Sequence, residues 1–241
     1  MPRDSPPLYQ LHPNAEIGYL STSSDQLFRV IMQVEKGGGG GGGGGNTTEL
    51  KKKIEQLTEN LPDRFNEVDV KLRAQPLLEE DEAPYVLVCL QEVKRMNYLT
   101  LVMLDSMEQL RKGLNGELNM SQAMEELSEA LTINQVPGRN IFHSLSWEEF
   151  AWPSKRTLIG WYKDLVKRIK QLEDWTENLK RPLAVWISGL FNPMAFITAL
   201  MQATGRIRGL ALDNMTCETH PTIYSNIESC TAHPEDGAFI Y

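Results

Sequence analysis

A Cys–His pattern that occurs twice contains the residues best suited to chemistry in this 241-residue sequence. Cys217 and His220 form one Cys-x-x-His, and Cys230 and His233 form another thirteen residues later. Thiolate and imidazole are ligands that Zn²⁺ prefers, so the pattern permits a zinc site. The β-prone sequence around it and acidic neighbours such as Glu218 favour the alternative, that these are ordinary loop residues.

Two other side chains invite a catalytic interpretation. His12 precedes a proline and has no Ser, Cys or metal-ligand partner at a useful spacing, so a turn residue is predicted. Glu92 could act as an acid or base, but it stands three positions before Arg95 on a predicted helix. That spacing favours an intrahelical ion pair, worth about 0.2–0.5 kcal/mol.

Motifs that define nucleotide-binding, hydrolytic and redox sites are missing from the sequence. There is no G-x-x-x-x-G-K-[ST], H-E-x-x-H, G-x-S-x-G or C-x-x-C. The nine glycines of Gly37–Gly45 lack the Lys-Ser/Thr of a phosphate loop and predict a flexible linker, either a natural low-complexity insert or an engineered loop replacement. We therefore predict no catalytic, cofactor-binding or metal residues and no enzyme activity for this protein segment.

Composition narrows the class of protein. The formal net charge of −8 argues against a nucleic-acid-binding surface, and 41% apolar residues permit a substantial core. Three scattered cysteines are too few for a disulfide framework, so a reducing compartment is expected. No apolar run reaches about 18 residues, and no signal peptide is evident, so we expect an intracellular protein with no membrane partner.

Apolar residues at helical spacing predict a mainly α fold, a multi-helix bundle. The longest predicted helix runs from Ala83 to Leu114, with Pro84 in its first turn and Gly113 and Gly116 closing it. Shorter helices are predicted around it: one capped by Thr22 with Asp25, one capped by Thr47 or Thr48 and reaching Leu61, one over Phe65–Leu72 before an acidic loop, and one capped by Ser121.

The sequence between Ser154 and Arg206 has the strongest helical period. Arg168 interrupts its apolar seam, and Ile169 fills the gap. Pro153 and Ser154 signal the start of this helix. The seam consists of Leu158, Trp161, Leu165, Leu172, Trp175 and Leu179. The charged residues expected mainly on the solvent side are Lys163, Asp164, Lys167, Lys170, Glu173 and Asp174.

Beyond this helix the pattern changes twice. Leu183–Phe191 is a short apolar run without a polar face, expected to be buried on all sides, and Asn192 with Pro193 opens another helix. Residues 216–228 and 237–241 have β-strand character. We expect residues 213–241 to begin a small β-barrel that is incomplete at Tyr241, which leaves its last strand without partners.

Several of these stretches resemble the C-terminal domain of dynein heavy chains, particularly axonemal ones. The clearest are W-Y-x-D-L-x-x-R-I-x-x-L-x-x-W at 161–175 and P-L-A-V-W-I-S-G-L-F-N-P-x-A-F-I-T-A-x-x-Q at 182–202. R-K-G-L-N-G-E-L at 111–118 and residues 9–17 are also similar, although Gln10 stands where the family usually has Gly. The similar segments follow the family's order over nearly the whole sequence, apart from the glycine tract.

The resemblance implies a domain organisation and a role. Residues 1–20 would be an extended entry segment, 21–212 the helical part and 213–241 the start of the barrel. The implied function is a non-catalytic structural and regulatory module of a microtubule motor. It would pack on the AAA+ ring of the same heavy chain and modulate ciliary or flagellar movement.

The implied partners and location follow from the same resemblance. Partners would be that ring and other dynein chains of the axonemal arm, with microtubules contacted only indirectly. The location would be the cytoplasm, the cytoskeleton and the axoneme of a cilium or flagellum. The alternative function is a free-standing helical adaptor, which should be monodisperse and folded alone, whereas a ring fragment should aggregate or be partly molten.

Overall fold

The long helix Ala83–Leu114 contacts four other helices and organises the fold. The computed structural model describes residues 24, 43–138, 146–224, 229–230, 232–234 and 236–241. Residues 50–241 belong to one compact unit, and residues 1–49 belong to another. The predictions for His12, for the helix capped by Thr22 and for the entry segment 1–20 fall on the second unit, outside the described residues.

Six α-helices and a pair of short strands make up the described structure. The helices are α1 (Gly43–Glu59), α2 (Glu67–Ala74), α3 (Ala83–Leu114), α4 (Gln122–Thr132), α5 (Leu158–Asn178) and α6 (Pro193–Arg208). The strands are β1 (Ala184–Val185) and β2 (Phe239–Ile240), and 3₁₀ turns occupy Gln75–Glu79, Ile187–Gly189 and Leu212–Asn214. The prediction of a mainly α, multi-helix bundle is confirmed, and the described β structure is one two-stranded sheet.

Local capping chemistry fixes several helix ends where the sequence predicts them. The bounds of α3 match the prediction. The Ser121 hydroxyl accepts a hydrogen bond from the Met124 N–H at 3.3 Å, and the Asn192 side chain accepts from the Ala195 N–H at 3.2 Å. Each cap satisfies one of the backbone donors that a helix start leaves unpaired.

Three predicted boundaries are wrong. Helix α1 begins at Gly43, so it takes in the last three glycines of the predicted linker and neither Thr47 nor Thr48 is its cap, although glycine is an unfavourable helix former. Helix α5 begins after Thr157, since the Ser154 hydroxyl instead accepts from the Arg156 N–H at 3.2 Å in a short turn. The predicted acidic loop starts as the 3₁₀ turn Gln75–Glu79, with a proline in its first positions.

The predicted seam of α5 is confirmed, because all six of its residues are buried. Leu158, Trp161 and Leu165 have no exposed surface. Fully burying a leucine side chain is worth about 1.5–3 kcal/mol, so this seam holds α5 against the rest of the core. Asp164 corrects the predicted solvent face: it is buried, and its carboxylate accepts from the Arg156 guanidinium at 2.7 Å.

Tryptophans from the segment before α5 complete this core. The Trp147 and Trp152 rings stack on Trp161, with centroids 6.0 and 5.2 Å away, respectively. The Trp147 indole N–H donates to the Ser106 hydroxyl on α3 at 2.9 Å. The segment that joins α4 to α5 is thereby attached to both long helices.

The apolar run Leu183–Phe191 is only partly buried, contrary to prediction. Val185 and Leu190 are buried, but Ser188 is exposed, because the run forms β1 and a 3₁₀ turn with one side facing outward. Its polar backbone groups are partly satisfied by β2.

Strand β2 appears where the sequence predicts it, but it has a partner. Ala184 pairs with Phe239 and Val185 with Ile240 in parallel register. The Tyr241 N–H also donates to the Val185 carbonyl at 3.1 Å. The expected unpartnered strand is therefore wrong, since the connector after α5 supplies the neighbouring edge.

The described part of the β-prone segment, residues 216–224, forms no strand. Ile223 is 95% exposed, and Pro221 lacks the N–H that a strand ladder needs. Among the described helices, none combines the length and apolar character needed to cross a membrane.

Candidate functional site

The Cys–His repeat does not form a common site among the described residues. Cys217 is exposed and lines, with His220, a cavity of about 430 Å³ beside α6. Cys230 is buried, and burial together with the charge of Arg181 lowers the pKa of His233. Among the described residues, no three His, Cys, Asp or Glu side chains come together as a metal site.

Glu92 connects the first half of α3 to the backbone just before α6. Its carboxylate is buried and accepts hydrogen bonds from the Phe191 N–H at 2.6 Å and the Asn192 N–H at 3.0 Å. This replaces the predicted ion pair, because the exposed Arg95 contributes only a weaker electrostatic effect on Glu92. Both carboxylate oxygens are thus used to hold backbone donors of another element.

The electrostatics of Glu92 favour a structural role. Burial raises the pKa of its carboxyl above the usual 4.5, and the two backbone N–H groups and Arg168 oppose that rise. The neighbouring Cys89 thiol is buried, and this desolvation with the nearby Glu92 raises its pKa to about 12. A thiol that stays protonated at neutral pH is a poor nucleophile.

Arg168 fills the polar position in the α5 seam. Its guanidinium carbon lies 3.8 Å from the centre of a Trp152 ring and 5.1 Å from that of Trp186. It also donates to the Leu190 carbonyl at 3.5 Å. A buried guanidinium against indole faces is stabilised by the ring quadrupoles, by about 2 kcal/mol or more when desolvated.

Arg168 keeps its charge despite its burial. Desolvation lowers the pKa of the guanidinium to about 10, and the charges of Asp164 and Glu92 oppose that fall. The side chain therefore remains protonated at neutral pH. Together, Arg168 and Glu92 join α5, α3 and the connector before α6, an arrangement that positions backbone segments relative to one another.

A surface groove of about 720 Å³ lies between α3 and the segment before α5. The Tyr98 and Phe150 rings meet edge to face at 4.8 Å, and Leu101 and Phe191 continue the apolar lining. Charged side chains of both signs surround it: Arg64, Glu67, Lys94, Arg95 and Glu149. An apolar floor with a charged rim is the usual composition of a protein-binding surface.

Helix α2 also presents apolar side chains outward. Val68 is 69% exposed and Leu72 is 64% exposed, and they stand one helical turn apart on the same face. The prediction of a short helix here is confirmed, but two of its apolar residues do not enter the core. Such residues suit contact with another protein surface.

Comparison with known proteins places this helical module in a family. A model of the C-terminal domain of dynein heavy chains matches residues 21–241. The sequence is 41% identical to the ciliary dynein beta chain of Tripneustes gratilla, and 38% identical to axonemal dynein heavy chain 17 of Homo sapiens and to the flagellar outer arm beta chain of Chlamydomonas reinhardtii. Each alignment covers all of this sequence but about 5% of the relative. The protein belongs to the family of dynein heavy-chain domains that this model defines.

Sequence reasoning missed the partners of the buried polar residues. The position of Arg168 within an apolar seam indicates that its side chain is buried. The neighbouring sequence does not indicate that Trp152 and Trp186 contact it. The spacing of Glu92 and Arg95 pointed to the wrong partner, because the donors to Glu92, the Phe191 and Asn192 N–H groups, are about 100 residues away in the sequence.

Proposed function

We propose that this protein segment is a structural and regulatory module of an axonemal dynein heavy chain, which packs on the AAA+ ring and modulates the motor. The observation that carries the proposal is the match of residues 21–241 to the family model. The module itself would hydrolyse no ATP, and its ring would supply that activity. Its location would be the axoneme of a cilium or flagellum, with other dynein chains as neighbours and microtubules reached only through the motor.

The structure supports a role in packing. The buried contacts of Arg168 and Glu92 fix the relative positions of three elements, so the module can act as a rigid body. The exposed face of α2 provides apolar surface for a neighbour, and Val68 and Leu72 are its most exposed members. We therefore propose that the contact with the ring involves this face.

The test uses a recombinant motor that contains this segment. Val68→Ser combined with Leu72→Ser should change the microtubule-stimulated ATPase rate and gliding velocity, because the ring loses an apolar contact. Glu125→Ser combined with Glu129→Ser, two exposed residues at the same helical spacing on α4, provides the matched control. Unchanged motility in the α2 variant would contradict the location of the contact.

A second measurement tests the absence of catalysis. The purified 241-residue protein is expected to show no ATP turnover, whereas clear, saturable hydrolysis would overturn the proposal. The adaptor alternative has a different signature: the isolated protein would be monodisperse at all concentrations and would bind no dynein ring.

A further inference from the structure

A second groove, between α1 and α5, has an unusual charge. Its volume is about 610 Å³. Three lysines line it, Lys53 from α1 and Lys163 and Lys167 from α5, and none of the described residues that line it is acidic. The whole protein has a net charge of −8, so this basic surface contrasts with its overall composition.

The floor of the groove is apolar and well supported. Leu158 is fully buried beneath it, Leu57 and Val166 are half-buried, and Ile159 is 53% exposed. The Tyr162 hydroxyl donates to the Leu57 carbonyl at 2.7 Å and so joins the two helices that form the walls. The groove is therefore a fixed feature of the α1–α5 packing.

The lysines are arranged so that positive charge borders the apolar floor. Lys163 and Lys167 are exposed and stand one turn apart on α5. Lys53 lines the groove from α1, and its ammonium donates to the Leu131 carbonyl at 2.6 Å, which leaves two of its three donors for another acceptor. Apolar contact in the centre and cationic donors at the edges would be available to one ligand at the same time.

We infer that this groove binds an acidic amphipathic α-helix of another protein segment. Leucine-type side chains at i, i+3, i+4 and i+7 would occupy the apolar floor, and Glu or Asp beside them would pair with the three lysines. A concave site between two helices suits a rod-shaped ligand better than a flat membrane. The negative charge of the protein as a whole also disfavours anionic lipid surfaces.

The α1–α5 groove and the α2 face proposed to contact the ring are separate surfaces. Val68 and Leu72 do not line the α1–α5 groove. Loss of binding here would therefore leave the proposed function intact, and the reverse also holds.

The test measures binding of a labelled synthetic helical peptide to the whole protein by fluorescence anisotropy. The peptide has leucines at the stated spacing and glutamates on the flanking positions. We expect saturable binding that weakens as salt rises. Lys163→Glu combined with Lys167→Glu should weaken it about tenfold or more, since two attractive pairs become repulsive.

Matched controls separate the groove from general electrostatics. Lys155→Glu combined with Lys180→Glu makes the same change of charge at exposed positions outside the groove and should leave affinity within about twofold. Ile159→Ser removes apolar floor without changing charge and should also weaken binding. Circular dichroism and thermal unfolding confirm that each variant is folded.

Three results would overturn the inference. One is the absence of saturable binding up to about 1 mM peptide. Another is equal affinity for a peptide in which every glutamate is replaced by lysine. The third is binding to phosphatidylserine vesicles that depends on Lys163 and Lys167 while the acidic peptide does not compete.

Discussion

Two buried charged residues, Arg168 and Glu92, determine how the central helices meet. A charge in a protein interior is unfavourable unless aromatic faces, hydrogen bonds or opposite charges compensate it. Arg168 has two indole rings, and Glu92 has two backbone N–H donors. Each compensation depends on geometry, so substitutions that keep the charge can be more harmful than those that remove it.

Arg168→Lys is expected to lower the free energy of unfolding by about 1–2 kcal/mol, because a compact ammonium cannot stack on the Trp152 ring as a planar guanidinium does. Arg168→Met should stay within about 1 kcal/mol of the wild type, since it removes the buried charge but keeps apolar volume. Urea unfolding followed by tryptophan fluorescence measures both. A lysine variant as stable as the wild type would show that stacking contributes nothing.

Glu92→Gln should remove a pH dependence of stability. Burial holds the pKa of Glu92 above 4.5 in the folded protein, so the folded state binds this proton more tightly than the unfolded state. The stabilisation is fully present below about pH 4.5 and is lost as pH rises through the folded pKa. The free energy of unfolding of the wild type minus that of the variant should therefore fall as pH rises.

Glu108→Gln is the matched control with the opposite sign. The side-chain hydrogen bond from Arg111 lowers the pKa of the Glu108 carboxyl to about 2. Its stabilisation is present above the unfolded pKa and is lost as pH falls toward 2. Urea titrations at a series of pH values should thus give slopes of opposite sign for the two variants; equal slopes would refute the account of Glu92.

At the scale of elements, the sequence correctly predicted the features that depend on residue type and spacing within one helix. The α5 seam and the caps Ser121 and Asn192 follow from residue type and spacing alone. Asp164 was wrongly predicted to face solvent, because Arg156, which donates a hydrogen bond to it, lies in the turn before the helix. The partner of β2 was missed because a parallel pair of two residues leaves no signal in the intervening sequence.

Two glycines in neighbouring elements should respond oppositely to alanine. A Cβ at Gly189 would meet carbon atoms of the Trp186 ring at less than contact distance, so Gly189→Ala should cost about 1–3 kcal/mol. A Cβ at Gly160, in the first turn of α5, meets side-chain atoms no closer than 3.5 Å. Gly160→Ala should stabilise by about 0.4–1 kcal/mol through the lower entropy of the unfolded state.

Thermal unfolding compares the two variants with the wild type. Because Trp186 also faces Arg168, the Gly189 variant should show altered tryptophan fluorescence in the folded state. Equal melting temperatures for the two variants would mean that the connector around Gly189 can shift to accommodate the added Cβ without loss of stability.

For the molecule as a whole, exposed apolar side chains on α2 are expected to affect how the isolated protein associates with itself. Many large apolar residues are buried in the core, yet on α2 Val68 and Leu72 are exposed while their neighbour Val70 is only 3% exposed. Because α2 contains both exposed and buried apolar residues, the effect of the same substitution can be compared at a surface and at a core position of one helix.

Val68→Ser combined with Leu72→Ser should reduce self-association of the isolated protein, because less apolar surface is available between molecules. Its free energy of unfolding should stay within about 0.5 kcal/mol, as is usual for surface positions. Val70→Ser, the same exchange at a buried site, should instead destabilise by about 1–3 kcal/mol. Sedimentation velocity over a range of concentrations, with urea unfolding, tests both; self-association unchanged by the α2 variant would exclude this face as the cause.

The parallel pair of β1 and β2 also has a kinetic consequence. Joining Ala184 to Phe239 closes a long loop that contains the whole of α6. Loop-closure entropy disfavours such a contact until the intervening helix has formed and shortened the gap. During refolding, β2 should therefore dock late, and its amides should be among the last to gain protection from hydrogen exchange.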